Sequence, residues 1–216
     1  PSQADYFQTV KGGGHGDYRL IALAPASVQE MADFVGLAFD LAFKYRNPAI
    51  ILADGVIGQM MEKVVLPEQR PRLTNEEVMA RCPWATFGKL KHRGPNIVTS
   101  LELDPAEMEK RNIHLQQKYA EIEEKEVRYE EIHCDDAEYL IVAFGSCARI
   151  AQKAMEEARA EGIKVGLLRP ITLWPFPSKA IAERSRQVKG ILTVELNAGQ
   201  MVEDVRLAVE CKVPVE

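Results

Sequence analysis

A cluster of glycines around one histidine, GGGHGD at residues 12–17, has the clearest chemical potential near the start of the chain. Glycine lets the backbone approach a ligand or a neighbouring chain closely, and successive inward-pointing amides can bind an anion. The cluster is not a dinucleotide-binding motif, because no predicted strand precedes it and a strand rather than a helix follows it. We expect Gly14 and His15 either to contact a ligand or another subunit, or to form a flexible turn.

A second set of candidate residues lies in loops that follow predicted strands, at residues 144–146, 169–177 and 195–200. Parallel strands end at the same edge of a sheet, where open α/β sheets bind their ligands. Ser146 and the amide of Gly199 or Gln200 would lie near helix N-termini, which suit an anion. The alternative is structural, with Ser146 as a helix cap and residues 174–177 as a packed corner.

The cysteines and histidines, which commonly bind metal ions, do not have the spacing of metal ligands in this sequence. Neither the cysteines nor the histidines form closely spaced pairs of the kind that hold zinc or iron–sulfur clusters: Cys82, Cys134, Cys147 and Cys211; His15, His92, His114 and His133. The spacing predicts no metal centre in this chain and four ordinary buried or semi-buried thiols. Common hydrolase and nucleotide-binding motifs are also absent.

Composition narrows the function classes. A net charge of −5 argues against nucleic acid as a main partner, since phosphate binding needs concentrated Lys and Arg. The apolar runs are too short to cross a bilayer, and the polar start resembles no signal peptide, so we expect a cytoplasmic protein without a membrane role. The absence of an initial Met leads us to expect a fragment of a longer chain.

The elements that must position these residues begin with a βαβ unit. Apolar runs at residues 19–24 and 49–53 predict strands, and residues 27–45 predict a helix between them. Ser27 and Glu30 are spaced as a capping box. The helix carries so many apolar residues that we expect it to make contacts on more than one face.

The middle of the chain differs in composition. Residues 66–95, with four prolines, predict a long and mostly irregular segment of the kind that is often functional or covered by a partner. Asp104 and Pro105 predict a helix start within a strongly acidic stretch, which we interpret as a helical linker over residues 102–135. Its apolar residues fall at helical spacing, which predicts one shared face: Met108, Leu115, Tyr119, Ile122 and Tyr129.

A second α/β pattern begins at residue 136. Predicted strands alternate with predicted helices over the remaining sequence: strands 139–144, 164–168 and 190–195; helices 147–160, 178–188 and about 200–209. This order favours a small, doubly wound domain with a mainly parallel sheet. From the residues alone, the chain is an α/β protein of two domains with a crevice and no assigned chemistry.

Five long stretches of the sequence carry information beyond the periodicity of helices and strands. They are PSQADYFQTVKGGGHGDY (residues 1–18), ALAPASVQEM (22–31), NPAIILADGVIGQMMEKV (47–64), EGIKVGLLRPITLWPFP (161–177) and VELNAGQMVEDVRLAV (194–209). Together they resemble the α-type subunit of the 2-oxoacid:ferredoxin oxidoreductases over almost the whole chain. The first stretch looks most like the branched-chain type, which acts on 2-oxoisovalerate (3-methyl-2-oxobutanoate).

The resemblance implies a fold and a reaction. Residues 1–101 would be the later part of a transketolase-type pyrimidine-binding domain, and residues 136–216 a transketolase C-terminal-like domain. A 2-oxoacid would be decarboxylated on thiamine diphosphate, its acyl group transferred to coenzyme A and its electrons to ferredoxin. Thiamine diphosphate and Mg²⁺ would be shared with a partner β subunit, and [4Fe–4S] clusters would lie in ferredoxin-like partner subunits.

The resemblance also implies what this chain lacks. The carboxylate that activates the aminopyrimidine belongs to the earlier half of the domain, so we expect no catalytic residue here and no turnover by the chain alone. Candidate cleft residues are Gln3, Lys11, Gly14 and His15. Candidate contacts of the second domain, with another subunit or near coenzyme A, are Ser146, Arg169, Asn197 and Gln200.

Two rival functions stay open at this point. One is a different thiamine enzyme, similar to the β chain of 2-oxoacid dehydrogenase E1, which passes its product to lipoamide instead of electrons to ferredoxin. The other is a non-catalytic α/β binding module, which would not co-purify with a thiamine-binding or cluster-bearing partner.

Overall fold

The computed structural model describes residues 2–86, 88, 91 and 94–216. Residues 1–66 and 119–216 form one unit, and residues 67–118 form a second unit. The α-helices and strands of the described residues are, in chain order, α1 (Tyr6–Val10), β1 (Ile21–Leu23), α2 (Val28–Tyr45), β2 (Ala49–Ile51), α3 (Asn75–Arg81), α4 (Pro105–Lys125), β3 (Tyr129–Ile132), β4 (Tyr139–Ala143), α5 (Gly145–Ala160), β5 (Val165–Pro170), β6 (Thr172–Trp174), α6 (Ser178–Ser185), β7 (Gly190–Val194) and α7 (Met201–Ala208). A short 3-10 helix, Ile57–Gln59, follows β2.

The first sheet has the strand order β2-β1-β6. β1 and β2 are parallel, with Ile21 opposite Ala49, so the predicted βαβ unit is confirmed. β1 is buried along its whole length, and α2 packs on the sheet through Phe34, Leu41 and Tyr45. β6 pairs antiparallel with β1, which the sequence did not predict, because residues 172–174 were assigned to a loop.

The start of α2 differs in detail from the predicted capping box. The Ser27 hydroxyl accepts a hydrogen bond from the Glu30 amide, as expected. The Glu30 carboxylate, however, accepts from the Ala26 amide at 2.7 Å, one residue earlier than in a capping box. Arg46 caps the C-terminus of the helix. Its φ of 45° places it in the left-handed region, just before Asn47 and Pro48.

The middle segment contains one helix that was not predicted. α3 begins with a complete capping box, in which Thr74 and Glu77 exchange side-chain and backbone hydrogen bonds. α4 begins where predicted, since the Asp104 carboxylate accepts from the amides of Ala106 and Glu107. The helical interpretation of the acidic linker is wrong beyond residue 125, because Tyr129 begins strand β3 and does not lie on the face of α4.

The second sheet has the order β3-β5-β4-β7. β4 lies between β5 and β7 and is parallel to both, whereas β3 runs antiparallel to β5. α5 packs against this sheet, and the buried core between them consists of Ile141, Ala143, Cys147, Ala148, Ala151, Met155, Val165 and Leu167. The predicted fold class, α/β with a small and mainly parallel second sheet, is confirmed.

Candidate functional site

The chain's own N-terminal segment lies across the carboxyl end of β7. Two hydrogen bonds join Gln3 to Leu196. The backbone amide of Gln3 donates to the Leu196 carbonyl at 3.3 Å, and the backbone amide of Leu196 donates to the side-chain Oε1 of Gln3 at 3.0 Å. Asn197 Nδ2 donates to the Gln3 carbonyl at 3.0 Å. The edge at which the sequence predicts a ligand crevice is therefore occupied, at this point, by residues of the same polypeptide.

The N-terminus of α5 binds a carboxylate, and that carboxylate is Asp54. Asp54 Oδ1 accepts from the amides of Val56 and Ile57, and Oδ2 accepts from the Ser146 amide at 2.7 Å. Gln3 Nε2 donates to the same Oδ2 at 3.3 Å and to the Phe144 carbonyl at 3.0 Å. This cluster, which we call the Asp54 joint, connects the end of β2 to the start of α5.

Asp54 keeps its charge although it is only 4% exposed. Burial by itself would raise the pKa of the carboxyl group, because a low-dielectric environment disfavours charge. The hydrogen bonds from Ile57 and Ser146, with a smaller contribution from Gln3, outweigh burial and lower the pKa below its usual range. Asp54 is thus an anion at neutral pH, and it lies at a helix N-terminus, where the helix dipole also favours its charge.

The N-terminus of α7 is satisfied in the same way. The Glu195 carboxylate accepts from the amides of Gln200, Met201 and Val202 at 2.9, 2.8 and 3.1 Å. The Gln200 side chain then binds α1, because its Oε1 accepts from the Phe7 amide and its Nε2 donates to the Ala4 carbonyl. The helix N-termini that the sequence offered to a ligand anion bind anionic side chains of the chain itself.

Arg169 forms a separate connection. Its guanidinium donates two hydrogen bonds of 2.8 Å to Glu30 and one of 2.9 Å to Glu130. Burial opposes the charge of Glu30, but the hydrogen bond from Arg169 helps to lower the pKa of Glu30. Arg169 is buried and its carboxylate partners are partly exposed, so the forked geometry joins the second sheet to the start of α2 by charge pairs that water partly screens.

Lys11 also has a partner in the second α/β region. It forms an ion pair with Asp204, and Tyr6 donates its hydroxyl proton to the same carboxylate at 2.6 Å. Burial, and then the charge of Asp204, raise the pKa of Tyr6 far above its usual value, so the phenol stays a hydrogen-bond donor.

The glycine cluster folds around a tyrosine. The amides of Gly13 and Gly14 donate to the Tyr18 hydroxyl at 2.8 and 2.7 Å. A Cβ on Gly14 would lie 3.2 Å from that oxygen, closer than an ordinary van der Waals contact, so a larger residue would require Tyr18 to shift. The inward amides that could have bound an anion thus bind a phenol oxygen, while the side chain of His15 is exposed at the tip of the loop.

The structure brings some predicted site residues together and separates others. Asn197 and Gln200 bind the N-terminal segment that contains Gln3, and Ser146 binds Asp54, to which Gln3 also donates. Arg169 and the glycine loop have other partners. Sequence reasoning missed Asp54 and Glu195. The available signal was an acidic residue directly after an apolar strand and near a helix start. The ligand-binding roles of the predicted residues stay predictions.

The described residues contain no group of three or more His, Cys, Asp or Glu side chains arranged to hold a metal ion. Cys82, Cys134 and Cys147 are buried, but Cys211 is exposed, so its predicted semi-buried position is wrong. His92 lies outside the described residues. Within the described part of the chain, no helix has both the length and the apolar character of a membrane span.

Comparison with known protein families gives two matches that together cover nearly the whole chain. Residues 1–133 match the thiamine diphosphate-binding family of pyruvate flavodoxin/ferredoxin oxidoreductases. Residues 137–216 match core domain II of pyruvate:ferredoxin oxidoreductase.

Individual relatives carry names from the same group. The chain is 52% identical, over 98% of its length, to the ketoisovalerate oxidoreductase subunit VorB of Methanothermobacter marburgensis. It is 33% identical, over 99% of its length, to the 2-oxoglutarate synthase subunit KorA of Archaeoglobus fulgidus. The chain spans 58% of the first relative's length and 60% of the second's.

A solved structure has the same fold. It is the 2-oxoglutarate:ferredoxin oxidoreductase from Magnetococcus marinus, determined with 2-oxoglutarate, coenzyme A and succinyl-CoA bound. It superimposes on the whole chain with a TM-score of 0.75 at 23% identity, and the match covers 41% of that chain.

The close packing of the Asp54 joint predicts that a methyl group added at Gly145 destabilises the fold. Its φ is +59°, and a Cβ there would lie 2.6 Å from Asp54 Oδ2 and 2.8 Å from Gln3 Nε2. We expect Gly145→Ala to lower the free energy of unfolding by about 2–4 kcal/mol, from backbone strain plus overpacking. The matched control is Gly162→Ala, where φ is +87° but nothing lies within 4 Å, so it should cost only about 1 kcal/mol. Equal losses in urea unfolding would contradict the packing role of the joint.

Removing the charge of Asp54 should change both stability and its pH dependence. Asp54→Asn replaces one carboxylate oxygen, which accepts hydrogen bonds, with an NH2 group, which donates them. We expect this change to lower the free energy of unfolding by about 1–3 kcal/mol. The pKa of Asp54 is lower in the folded state than in the unfolded state, where it is about 4. The charge of Asp54 therefore stabilises the fold fully above the unfolded-state pKa. This stabilisation is lost as the pH falls through the folded-state pKa. The variant should therefore lose less stability than the natural chain on acidification.

The control for this measurement is Asp135→Asn, since the side chain of Asp135 is 95% exposed. An exposed ion pair contributes about 0–1 kcal/mol, so this change should leave the pH profile nearly unaltered. If Asp54→Asn and Asp135→Asn gave the same profile, Asp54 would not be the charge that the joint depends on.

Proposed function

Because the chain belongs to the 2-oxoacid:ferredoxin oxidoreductase family, we propose that it is part of a subunit that oxidatively decarboxylates 2-oxoisovalerate. The products would be a branched-chain acyl-CoA and CO2, with electrons passing to ferredoxin. The observation that carries the proposal is the 52% identity to a ketoisovalerate oxidoreductase subunit, compared with 33% to 2-oxoglutarate synthase subunits. A cytoplasmic location is part of the proposal.

The domain division stays part of the proposal too. Residues 1–101 would belong to the pyrimidine-binding domain, residues 102–135 to the linker and residues 136–216 to the C-terminal-like domain. At the end of the linker, β3 pairs antiparallel with β5 and so adds a strand to the sheet of the C-terminal-like domain.

Thiamine diphosphate would supply a nucleophilic ylid and a thiazolium ring that accepts the electron pair released by decarboxylation. The buried carboxylates Asp54 and Glu126 and the half-buried Glu195 do not fit the role of activating its pyrimidine. Asp54 and Glu195 bind helix amides, and Glu126 binds Lys44, Tyr45 and Arg128. We therefore assign the activating carboxylate to the rest of the subunit, and the diphosphate, Mg²⁺ and [4Fe–4S] clusters to sites shared with or held by partner subunits.

Within this chain, we propose that the exposed loop around His15 forms the wall of the cofactor cleft. Tyr18 fixes the backbone of this loop through Gly13 and Gly14, so the imidazole projects from a constrained position. Gln3 and Lys11 would support the cleft indirectly, because both bind residues of the second α/β region.

The substrate proposal is tested with the full-length subunit assembled with its partner subunits. We expect CoA-dependent ferredoxin reduction with 2-oxoisovalerate, and a kcat/KM for this substrate about tenfold or more above those for pyruvate and 2-oxoglutarate. The 216-residue chain alone serves as a control and should give no turnover. Preference for 2-oxoglutarate, or transfer to lipoamide instead of ferredoxin, would contradict the proposal.

The loop is tested by His15→Ala in the same assembled enzyme. If the imidazole contacts the cofactor or substrate, the loss of a hydrogen bond to a charged group should lower kcat/KM about tenfold or more, without loss of assembly. His114→Ala, a substitution of another exposed histidine on α4, is the matched control and should be neutral. Unchanged kinetics and assembly for His15→Ala would remove His15 from the cleft.

A further inference from the structure

A groove lined by aromatic side chains lies between the last turn of α4 and the first turn of α6, and we call it the Trp174 groove. Its volume is about 510 Å³. The Trp174 ring is held by an edge-to-face contact with Tyr119, with 5.7 Å between the ring centroids. Tyr129 and Phe176 line the same groove and are accessible to solvent. Proline-containing segments dock in aromatic-lined grooves, because proline reduces the conformational entropy that a segment loses on binding.

Three charged side chains lie at the rim of the Trp174 groove. Glu123 and Glu124 come from the last turn of α4, and Lys179 comes from the first turn of α6. All three are exposed, and none of them forms an ion pair with another residue that the structure describes. The groove therefore presents two carboxylates and one ammonium group beside an apolar floor.

One segment of the chain itself has the complementary composition. Residues 66–73, LPEQRPRL, contain two arginines, one glutamate and two prolines between two leucines. All eight residues are exposed, with Leu66 at 77% and Leu73 at 38%, and none of the eight belongs to a helix or a strand. The segment therefore offers two positive charges, one negative charge and apolar side chains, which is the inverse of the charge pattern of the Trp174 groove.

We propose that the 66–73 segment of a second copy of this chain docks in the Trp174 groove. In this contact the two arginines face Glu123 and Glu124, Glu68 faces Lys179, and the prolines and leucines pack on the aromatic rings. Opposite charges of this kind fix the register of a docked segment. Each copy carries both the segment and the groove, so two copies related by a twofold axis make the same contact twice. The inference does not rest on the proposed substrate or cofactor.

The first test traps the contact with a disulfide between two variants of the full-length subunit. One preparation carries Arg72→Cys and the other carries Glu124→Cys. The two are mixed and oxidised, and the linked peptides are quantified by mass spectrometry. A link between positions 72 and 124 then joins two copies, because neither preparation carries both added cysteines. The matched control mixes Arg72→Cys with Glu157→Cys, since the side chain of Glu157 is 69% exposed on α5.

We expect the link between positions 72 and 124 to form about tenfold or more faster than the control link, because docking raises the effective concentration of the two thiols. Equal rates would overturn the proposal. A link that forms only when both cysteines are placed in one chain would mean that the segment docks within its own chain. Loss of the link when the partner subunits are added would mean that another subunit occupies the groove. Either result would also overturn the proposal.

Charge reversal tests the same contact without an added cysteine. Glu123→Arg with Glu124→Arg, or Arg70→Glu with Arg72→Glu, should raise the dissociation constant for self-association of the full-length subunit about tenfold or more, because like charges then face each other. All four changes in one chain should restore most of the affinity, as expected for residues in direct contact. Sedimentation velocity measures the association, and Glu157→Arg is the control that should leave it unchanged.

The combined variant decides between a specific contact and a general effect of surface charge. Unchanged association in both reversed pairs, or no recovery when the pairs are combined, would overturn the proposal. The substrate assay does not depend on this measurement, so failure of the docking contact and failure of the substrate assignment can be distinguished.

Discussion

The charge of Asp54 is the constraint on which the joint between the two α/β regions depends. A buried carboxylate is costly unless hydrogen bonds replace its hydration. Three backbone amides and the side chain of Gln3 supply them. A side chain on Gly145 would lie too close to this carboxylate, and the Ser146 amide reaches it from the first turn of α5.

The consequence for function concerns where a ligand can bind. Helix N-termini at the carboxyl edge of a parallel sheet usually offer amides to an anion. Here Asp54 and Glu195 are those anions, and the segment containing Gln3 covers the edge between them. The second region therefore uses its conventional ligand edge for packing within the chain, while the loop of His15 remains exposed.

The first region shows the opposite situation. Its sheet has three short strands, and its long helix has an apolar side facing outward. A parallel sheet is normally covered on both faces. On the outward-facing side of the helix, Val35 and Phe39 are 48% and 62% exposed.

The family was identified by the resemblance of long stretches of the sequence. Local patterns in the sequence determined the βαβ unit, the cap at Ser27 and the strand–helix order after residue 136. These depend on neighbouring residues and on periodicity, which a single chain displays directly. Only the tertiary structure decided that β3 and β6 are strands and that Gln3 binds Leu196. A three-residue strand or a buried amide is stabilised by partners far away in the chain, 193 positions in the case of Gln3, and local pattern carries no information about them.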